Sequence, residues 1–196
     1  MCIRDRDSEG ALIFPDQEKA FDRVENEFLF KIMTAFGFGE SFIDWIRVSY
    51  ANASTKVKLN GYHTKSISLN RGPRQGCPLS PSLYVLIIEL FALLLRNNPN
   101  IVGFKVGGEK IVSMHYADDA TIVIKQNQWF KEVIKGIQNY EQASGARVYV
   151  KKTKGLWLGK WKTRTDSPLV WRMRAAMQTK MCCSFFLIKI GGIFVA

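Results

Sequence analysis

Two adjacent carboxylates, Asp118 and Asp119, are the part of this sequence best suited to carry chemistry. They lie between apolar segments that end at Met114 and resume at Ile122. Two ionised carboxylates this close repel each other unless a cation lies between them. Mg²⁺ is bound by a few carboxylates together with phosphate oxygens. The pair therefore predicts a divalent metal site in a turn between two strands, or else an ordinary solvated Asp-Asp turn.

A third carboxylate, Asp16, follows the apolar run Ala11–Phe14 and Pro15. Such a run, ended by proline, predicts a buried strand with Asp16 at its carboxyl end. Three carboxylates on neighbouring strand ends would suit a two-metal site for in-line phosphoryl transfer, in which the ions lie about 3.5–4 Å apart.

A loop rich in glycine and proline runs from Arg71 to Pro81 and leads into a long apolar segment. The backbone at Gly72 and Gly76 can approach a nucleotide closely, and a helix N-terminus favours phosphate. The loop is predicted either to contact a nucleotide or simply to cap a helix.

Positive charge dominates the composition. The 196 residues include 28 Lys and Arg against 17 Asp and Glu, a formal net charge of +11. Such a surplus favours a polyanionic partner. The hairpin lysines Lys56, Lys58 and Lys65 and a C-terminal cluster are candidates for a nucleic-acid track; the cluster comprises Lys151, Lys152, Lys154, Trp157, Lys160, Trp161, Lys162 and Arg164. The rings of Trp157 and Trp161 could stack on bases or belong to the core.

Other classes of protein are poorly supported. The four cysteines and two histidines have no zinc-binding spacing and supply no histidine-based triad, so we expect free thiols in a reducing compartment. The first ten residues are charged rather than apolar, and no apolar run reaches the length of about 20 residues needed to span a bilayer. An intracellular protein of the nucleus or cytoplasm, neither secreted nor membrane-bound, is expected.

The elements that must position these residues follow from hydrophobic periodicity. Helical spacing is found in residues 25–37, 41–50, 83–95 and 128–140, and strand patterns in residues 11–14, 56–59, 64–69, 104–106, 110–114, 121–124, 148–150 and 156–158. For the second helix, Ser41 is the expected cap and Phe42, Trp45, Ile46 and Tyr50 the expected core face. Asn60-Gly61 predicts a type I′ hairpin turn. Hairpins interleaved with helices indicate an α+β fold.

Three ordered motifs give these elements a family resemblance. Residues 16–24 (DQEKAFDRV), 74–81 (RQGCPLSP) and 116–119 (YADD) resemble motifs A, B and C of reverse transcriptases, and the middle one resembles the non-LTR (LINE-type) retrotransposon branch. The resemblance covers roughly residues 16–161. It implies a polymerase palm-like antiparallel sheet packed against helices, with fingers and thumb incomplete.

The resemblance also implies roles for single residues. Asp16, Asp118 and Asp119 match the family's metal-binding aspartates, which hold two Mg²⁺ ions, with Mn²⁺ as an alternative. Lys152 matches a motif D lysine that can protonate the leaving pyrophosphate, although a run of lysines is also typical of a solvated face.

The remaining matches concern substrate binding. Phe21 matches the aromatic residue that excludes a 2′-hydroxyl, and the nucleotide-binding set is completed by Arg74, Gln75 and Gly76. The expected primer and template contacts are Tyr116, Lys151, Lys154 and Trp157. The partners implied are an RNA template, a DNA primer and deoxynucleoside triphosphates.

Three regions follow from this reading: a leader at residues 1–10, a reverse transcriptase palm domain at 11–165 carrying motifs A to D, and a divergent tail at 166–196. Two functions are consistent with it. The chain is either an RNA-directed DNA polymerase domain or a catalytically inactive palm fragment that at most binds nucleic acid.

Overall fold

The computed structural model of the chain describes residues 9–106, 108–149, 151–164, 172–175, 188–190 and 193–195. The α-helices are α1 (Ala20–Arg23), α2 (Asn26–Ala35), α3 (Glu40–Tyr50), α4 (Ser80–Arg96) and α5 (Trp129–Ser144). The strands are β1 (Glu9–Phe14), β2 (Ser54–Thr55), β3 (Lys58–Leu59), β4 (Tyr62–His63), β5 (Ile67–Ser68), β6 (Phe104–Val106), β7 (Glu109–Ile111), β8 (Ser113–Tyr116), β9 (Asp119–Ile124), β10 (Lys154–Gly159), β11 (Arg172–Ala175), β12 (Ile188–Ile190) and β13 (Ile193–Val195). A short 3₁₀ helix spans Lys160–Thr163.

A seven-stranded sheet organises the molecule, in the order β11-β10-β1-β9-β8-β13-β12. β1 pairs antiparallel with both β10 and β9, and β8 and β9 form an antiparallel hairpin. Ile13 of β1 and Ile122 of β9 face each other in this register and are fully buried. The α+β class expected from the sequence is therefore confirmed.

Helix α4 lies at the centre of the helical layer and contacts α2, α5 and β8. Its sequence is apolar around most of its circumference, which is typical of a helix buried on all sides. Tyr84 and Phe91 are each only 1% exposed, and Pro81 occupies the first turn, where its missing N–H costs no hydrogen bond. The loop at residues 71–79 leads directly into the N-terminus of this helix.

Most elements predicted from periodicity are confirmed. The apolar run at 11–14 lies in β1, the run at 121–124 lies in β9, and the helical patterns correspond to α2, α3, α4 and α5. The Asn60-Gly61 turn is also confirmed, with φ of 48° and 87° at its two residues. The second strand of that hairpin is shorter than expected: β4 pairs with β3, whereas β5 pairs with β2 further down the same ribbon.

The prediction for α3 was wrong in two respects. Gly39 is the N-cap and Ser41 lies inside the helix. Phe42 and Trp45 are 38% and 74% exposed, although both were assigned to the core. Helix α3 buries a narrow stripe against α2 and its neighbours, so the apolar residues beside that stripe remain accessible to solvent.

The two ends of the chain contribute to the sheet. β1 begins at Glu9, so Glu9 and Gly10 of the predicted leader pair with β10. β11, from the region predicted as a tail, pairs in parallel with β10. Most of residues 165–196, including most of the apolar stretch from 184 onward, lies outside the described residues. In the described part of the chain, no helix is both long and apolar enough to cross a bilayer.

Candidate active site

The carboxylates of the Asp-Asp pair lie at one end of the central sheet. Tyr116 and Asp119 form the last pair of the β8–β9 hairpin, and Ala117 and Asp118 form the turn between them. Ala117 has a φ of +50°, a left-handed conformation that costs an alanine about 1–2 kcal/mol. A strained turn of this kind is a feature of functional sites, where it fixes the direction of the side chains it carries.

The register of the sheet brings Asp16 to the same end. Ile13 pairs with Ile122 in the β1–β9 ladder. Asp16 lies three residues beyond Ile13, and Asp119 lies three residues before Ile122, so the antiparallel register continues towards these two carboxylates. Neighbouring strands are about 4.8 Å apart. The topology therefore brings the backbone segments of Asp16 and Asp119 to the same end of the sheet.

The three carboxylates differ in exposure and share the lack of an ion pair among the described residues. Asp16 is half-buried, while Asp118 and Asp119 are exposed. Among the described residues, no Lys, Arg or His forms an ion pair with any of the three. Carboxylates in such a setting at one sheet end fit the donor set of a hard divalent cation. Within the same residues, however, no group of three or more His, Cys, Asp or Glu side chains is close enough to form a metal cluster.

Tyr84 connects the two carboxylate-bearing segments. Its hydroxyl donates a hydrogen bond to Oε1 of Gln17, the neighbour of Asp16, at 3.2 Å. Burial raises the pKa of the Tyr84 hydroxyl, and Tyr140 and the charge of Asp118 raise it further. The neutral phenol therefore contacts the Asp16 segment through Gln17 and lies within electrostatic range of the Asp118 carboxylate.

Two segments, residues 147–149 and 151–153, hold the backbone on either side of Asp16. The N–H of Asp16 donates to the hydroxyl of Thr153 at 3.3 Å, and the carbonyl of Asp16 accepts from the N–H of Tyr149 at 2.6 Å. The N–H of Glu18 donates to the carbonyl of Arg147 at 2.8 Å. Thr153 is fully buried, and its hydroxyl donates in turn to the Tyr149 carbonyl at 3.2 Å.

Lys151 and Lys152 lie on the second of these segments, residues 151–153. Both are exposed, and Nζ of Lys152 lies 5.1 Å from the centre of the Tyr149 ring. The backbone N–H of Lys152 donates to the Tyr149 carbonyl at 2.9 Å. The fold thus places the segment of the predicted proton donor directly beside the Asp16 backbone.

The aromatic residue predicted to select the sugar is held by a ring stack. Phe21 and Tyr84 have ring centroids 4.3 Å apart and an interplanar angle of 23°. Because Tyr84 is also hydrogen-bonded to Gln17, the ring under Phe21 is itself fixed. Phe21 is partly buried, so one part of its ring packs on the core and another part faces outward.

The loop at residues 71–79 is packed against the segment around Phe21. Nε2 of Gln75 donates to Oδ1 of Asp22 at 3.0 Å, and both side chains are exposed. Gly72, with φ of +76°, permits this approach, because a Cβ there would lie 1.8 Å from the carbonyl oxygen of Phe21. Gly76 also has a positive φ, of 84°, but faces open space. Gly72 therefore allows the loop to contact the backbone of Phe21, whereas the space beside Gly76 is open.

Arg74 is more enclosed than a surface arginine. Its guanidinium lies 5.3 Å from the centre of the Tyr50 ring. Its backbone N–H donates to the Tyr50 hydroxyl at 3.4 Å, and its backbone carbonyl accepts from the Ser80 hydroxyl at 2.6 Å. Among the described residues, Nε of Arg74 is buried without a hydrogen-bond partner. These contacts join the loop to α3 and α4.

The predicted primer and template residues differ in their accessibility. Tyr116, Lys151 and Lys154 are exposed, Tyr116 to 62%. Trp157 is 1% exposed, so the prediction that its ring stacks on bases was wrong. Its ring contacts Phe130 edge-on at 5.9 Å, because β10 directs alternate side chains into the core.

Trp161, the second tryptophan of the basic cluster, is also buried. It contacts Trp157 edge-on with centroids 5.5 Å apart, and the guanidinium of Arg164 lies 4.9 Å from each ring. The positive charge of this region therefore covers the tryptophan pair, and the tryptophans themselves belong to the core.

Sequence reasoning assigned no role to Thr153, Tyr84 or Gln17, and it expected Gly72 to approach a nucleotide, whereas Gly72 approaches the backbone of Phe21. The sequence does carry a signal for Tyr84, because its side chain brings a hydroxyl group into a mostly apolar helical segment. A buried hydroxyl needs a partner, so such a position points to a polar neighbour from another element. Thr153 offered no comparable signal, because its role depends on a contact with a residue 137 positions away.

Residues 2–175 match the family described as reverse transcriptase (RNA-dependent DNA polymerase). The chain is 38% identical over 152 residues to the Transposon TX1 uncharacterized 149 kDa protein of Xenopus laevis. This alignment covers 78% of this chain and 12% of that protein. It is 27% identical to the Retrovirus-related Pol polyprotein from type-1 retrotransposable element R2 of Popillia japonica, over 70% of this chain and 19% of that protein. The chain thus spans less than a fifth of the length of these relatives.

Two solved structures share the fold. A telomerase from Candida tropicalis in complex with a fragment of telomeric RNA superposes with a TM-score of 0.59 and 12% identity, covering 79% of this chain and 27% of that chain. The apo telomerase of the same organism, truncated from its C-terminal domain, gives a TM-score of 0.57 at 18% identity, over 76% of this chain and 31% of that chain. At these identities the likeness concerns the arrangement of helices and strands.

Proposed function

This chain belongs to the reverse transcriptase (RNA-dependent DNA polymerase) family, and from that premise we propose that it is the catalytic palm of an RNA-directed DNA polymerase of a non-LTR retrotransposon. The proposed domain is residues 11–165, with motifs A to D. Its substrates are an RNA template, a DNA primer and deoxynucleoside triphosphates, which meet inside the cell.

The observation that carries this proposal is a set of three carboxylates at one sheet end that have no cationic partner among the described residues. Asp16, Asp118 and Asp119 are the residues that would hold Mg²⁺, with Mn²⁺ as a substitute. When bound, the two ions supply charge stabilisation to the attacking 3′-oxygen and to the leaving pyrophosphate. The protein contributes by orienting these carboxylates through the β8–β9 turn and the register of β1.

Neighbouring residues complete the proposed mechanism. Phe21, held on the Tyr84 ring, lies under the incoming sugar and excludes a 2′-hydroxyl. Gln75 and Gly76 contact the nucleotide and its template base, and Tyr116 contacts the primer end. Lys152 gives a proton from its ammonium group to the leaving pyrophosphate oxygen.

A second function is favoured by a separate observation, since the described residues contain no cluster of three metal-binding side chains. On that reading the chain is a palm fragment that binds nucleic acid without catalysis, because positioning supplies much of the rate of phosphoryl transfer.

Primer extension on poly-rA/oligo-dT with Mg²⁺ distinguishes the two. Polymerase function predicts extension by the 196-residue chain that is lost in Asp118→Asn and kept in Asp44→Asn, a matched change at an exposed residue of α3 paired with Arg47. Extension that survives Asp118→Asn would contradict the role of that carboxylate. Salt-dependent binding of the primer–template without extension would support the binding function instead.

A further inference from the structure

The sequence that leads from α3 into α4 contains a long stretch without negative charge. From Trp45 to Ile88 there is no Asp or Glu, whereas the same stretch contains Arg47, Lys56, Lys58, Lys65, Arg71 and Arg74. The middle of this stretch folds into a two-stranded ribbon in which β2 pairs with β5 and β3 pairs with β4. We call residues 54–68 the acid-free ribbon.

The acid-free ribbon is exposed along its whole length. Its apolar side chains share that exposure: Leu59 is 69% exposed and Tyr62 is 83% exposed, with Val57 and Ile67 above one half. Apolar surface of this extent, beside lysines and far from any carboxylate in the sequence, indicates a surface for a partner that has both flat apolar groups and negative charge.

The ribbon has two chemically different faces. Leu59 pairs with Tyr62, and Lys58 pairs with His63. Because successive side chains of a strand point to opposite faces, Val57, Leu59 and Tyr62 share one face while Lys58 and His63 share the other. Hydrogen bonds between Val57 and Thr64, at 2.9 and 3.0 Å, keep the strands in this register. One narrow ribbon thus presents an apolar face that carries the ring of Tyr62 and a basic face that carries lysine.

The base of the ribbon leads to the candidate active site. A cavity of about 380 Å³ is lined by Ser68, Leu69, Asn70 and Arg71 together with Asp22. Asp22 accepts the hydrogen bond from Gln75, the residue assigned to the nucleotide and template pocket. A strand lying along the ribbon would therefore continue towards that pocket.

We propose that the acid-free ribbon binds the single-stranded RNA template, which crosses the edge of the ribbon so that its phosphates contact the lysines of the basic face and one unpaired base stacks on Tyr62 of the other face. This inference rests on the proposed function, which places an RNA template at the neighbouring site. An exposed aromatic ring on one face and positive charge on the other suit unpaired nucleic acid, because every base has a flat face and every linkage has a charge.

Fluorescence anisotropy with a labelled single-stranded RNA, about 20 nucleotides long, over a range of salt concentrations, tests the proposal. Lys56→Gln, Lys58→Gln and Lys65→Gln combined remove three ribbon charges. The matched control, Lys31→Gln, Lys131→Gln and Lys135→Gln combined, removes three exposed charges from α2 and α5. We expect the slope of log affinity against log salt to fall by about 2 in the ribbon variant, and to be unchanged in the control.

Tyr62→Ala separates stacking from charge. The loss of one stacked base is expected to weaken RNA binding by on the order of tenfold, while Tyr62→Phe, which keeps the flat ring, binds like the wild type. Thermal unfolding of each variant verifies that these exposed substitutions leave the fold intact.

Three results would overturn the inference: equal losses in the ribbon and control variants, tighter binding of RNA duplex than of the single strand, or tighter binding of single-stranded DNA of the same sequence. These outcomes are independent of extension. A chain that binds RNA through the ribbon but does not extend a primer would disprove the polymerase proposal alone. Primer extension together with RNA binding that does not depend on the ribbon would disprove the template-binding inference alone.

Discussion

The buried hydroxyl of Thr153 accepts a hydrogen bond from the backbone N–H of Asp16 across 137 residues of sequence, at 3.3 Å. The Asp16 carbonyl is held on the other side by the N–H of Tyr149. Asp16 is thus fixed by the segments at residues 147–149 and 151–153, the second of which also carries Lys152. A residue that positions a carboxylate in this way acts through it, without contacting substrate.

Replacing that hydroxyl should loosen Asp16. Thr153→Val keeps the shape of the side chain but leaves a buried N–H without a partner, which costs about 1–3 kcal/mol. We expect lower thermal stability and weaker Mn²⁺ binding, measured by electron paramagnetic resonance titration. Thr153→Ser keeps the hydroxyl acceptor and should keep the Mn²⁺ affinity. If both the Thr153→Val and the Thr153→Ser variants bind Mn²⁺ like the wild type, Thr153 has no positioning role.

Two glycines of the same loop should respond differently to alanine. Gly72 and Gly76 have similar positive φ angles, but only at Gly72 would a Cβ meet backbone, 1.8 Å from the Phe21 carbonyl oxygen. We expect Gly76→Ala to cost about 1 kcal/mol through its left-handed conformation. Gly72→Ala should cost about 3 kcal/mol, because the loop must also move away from Phe21. Urea unfolding measures both, and equal costs would contradict the close contact.

The stability of the fold should depend on pH through His115. Burial, together with the positive charge of Arg96, lowers the pKa of His115 from 6.5 to about 4. Between these two values the unfolded chain binds a proton that the folded chain does not, so the stabilisation is complete above pH 6.5 and decreases as the pH falls through this window. The loss approaches about 3 kcal/mol at most.

Urea unfolding between about pH 4.5 and 7.5 measures this dependence. His115→Gln should flatten the profile, and His63→Gln, a matched change at an exposed residue of the ribbon, should leave it unchanged. An identical slope in the wild type and His115→Gln would show that other groups cause the acid sensitivity.

Phe21 should determine the choice of sugar. Phe21→Val removes the ring stacked on Tyr84 and opens space beneath the incoming sugar. We expect the ratio of ribonucleotide to deoxynucleotide incorporation to rise by about tenfold, as for other steric discriminations. Tyr84→Phe keeps the stacked ring and should keep the wild-type ratio. An unchanged ratio in Phe21→Val would remove Phe21 from sugar selection.

Local signals in the sequence accounted for most of the elements. Apolar runs and helical spacing correctly indicated β1, β9, α2 and α4, because strand and helix formation depend mainly on neighbouring residues. The Asn60-Gly61 turn was equally clear, since few residues tolerate its left-handed conformation. The three motifs are also short segments of consecutive residues, which is why the order of amino acids alone reveals the family resemblance.

Burial was predicted less well. Phe42 and Trp45 were assigned to the core of α3, and Trp157 to a surface that stacks on bases, but the first two are exposed and the third is buried. An apolar residue on a helix is buried only if another element covers it. That information lies in how α3 meets α2 and how β10 pairs with β1, neither of which is encoded near the residues concerned.

The sequence by itself determined which carboxylates are available, which segments carry them and to which family they belong, because these depend on residue type and order along the chain. Only the tertiary structure decided that Asp16 and Asp119 lie at one end of the same sheet, that Thr153 holds Asp16, and that Tyr84 contacts both Phe21 and Gln17. Strand register and side-chain contacts between distant segments are properties of the packed chain, since a shift of one residue in a ladder would turn every side chain to the opposite face.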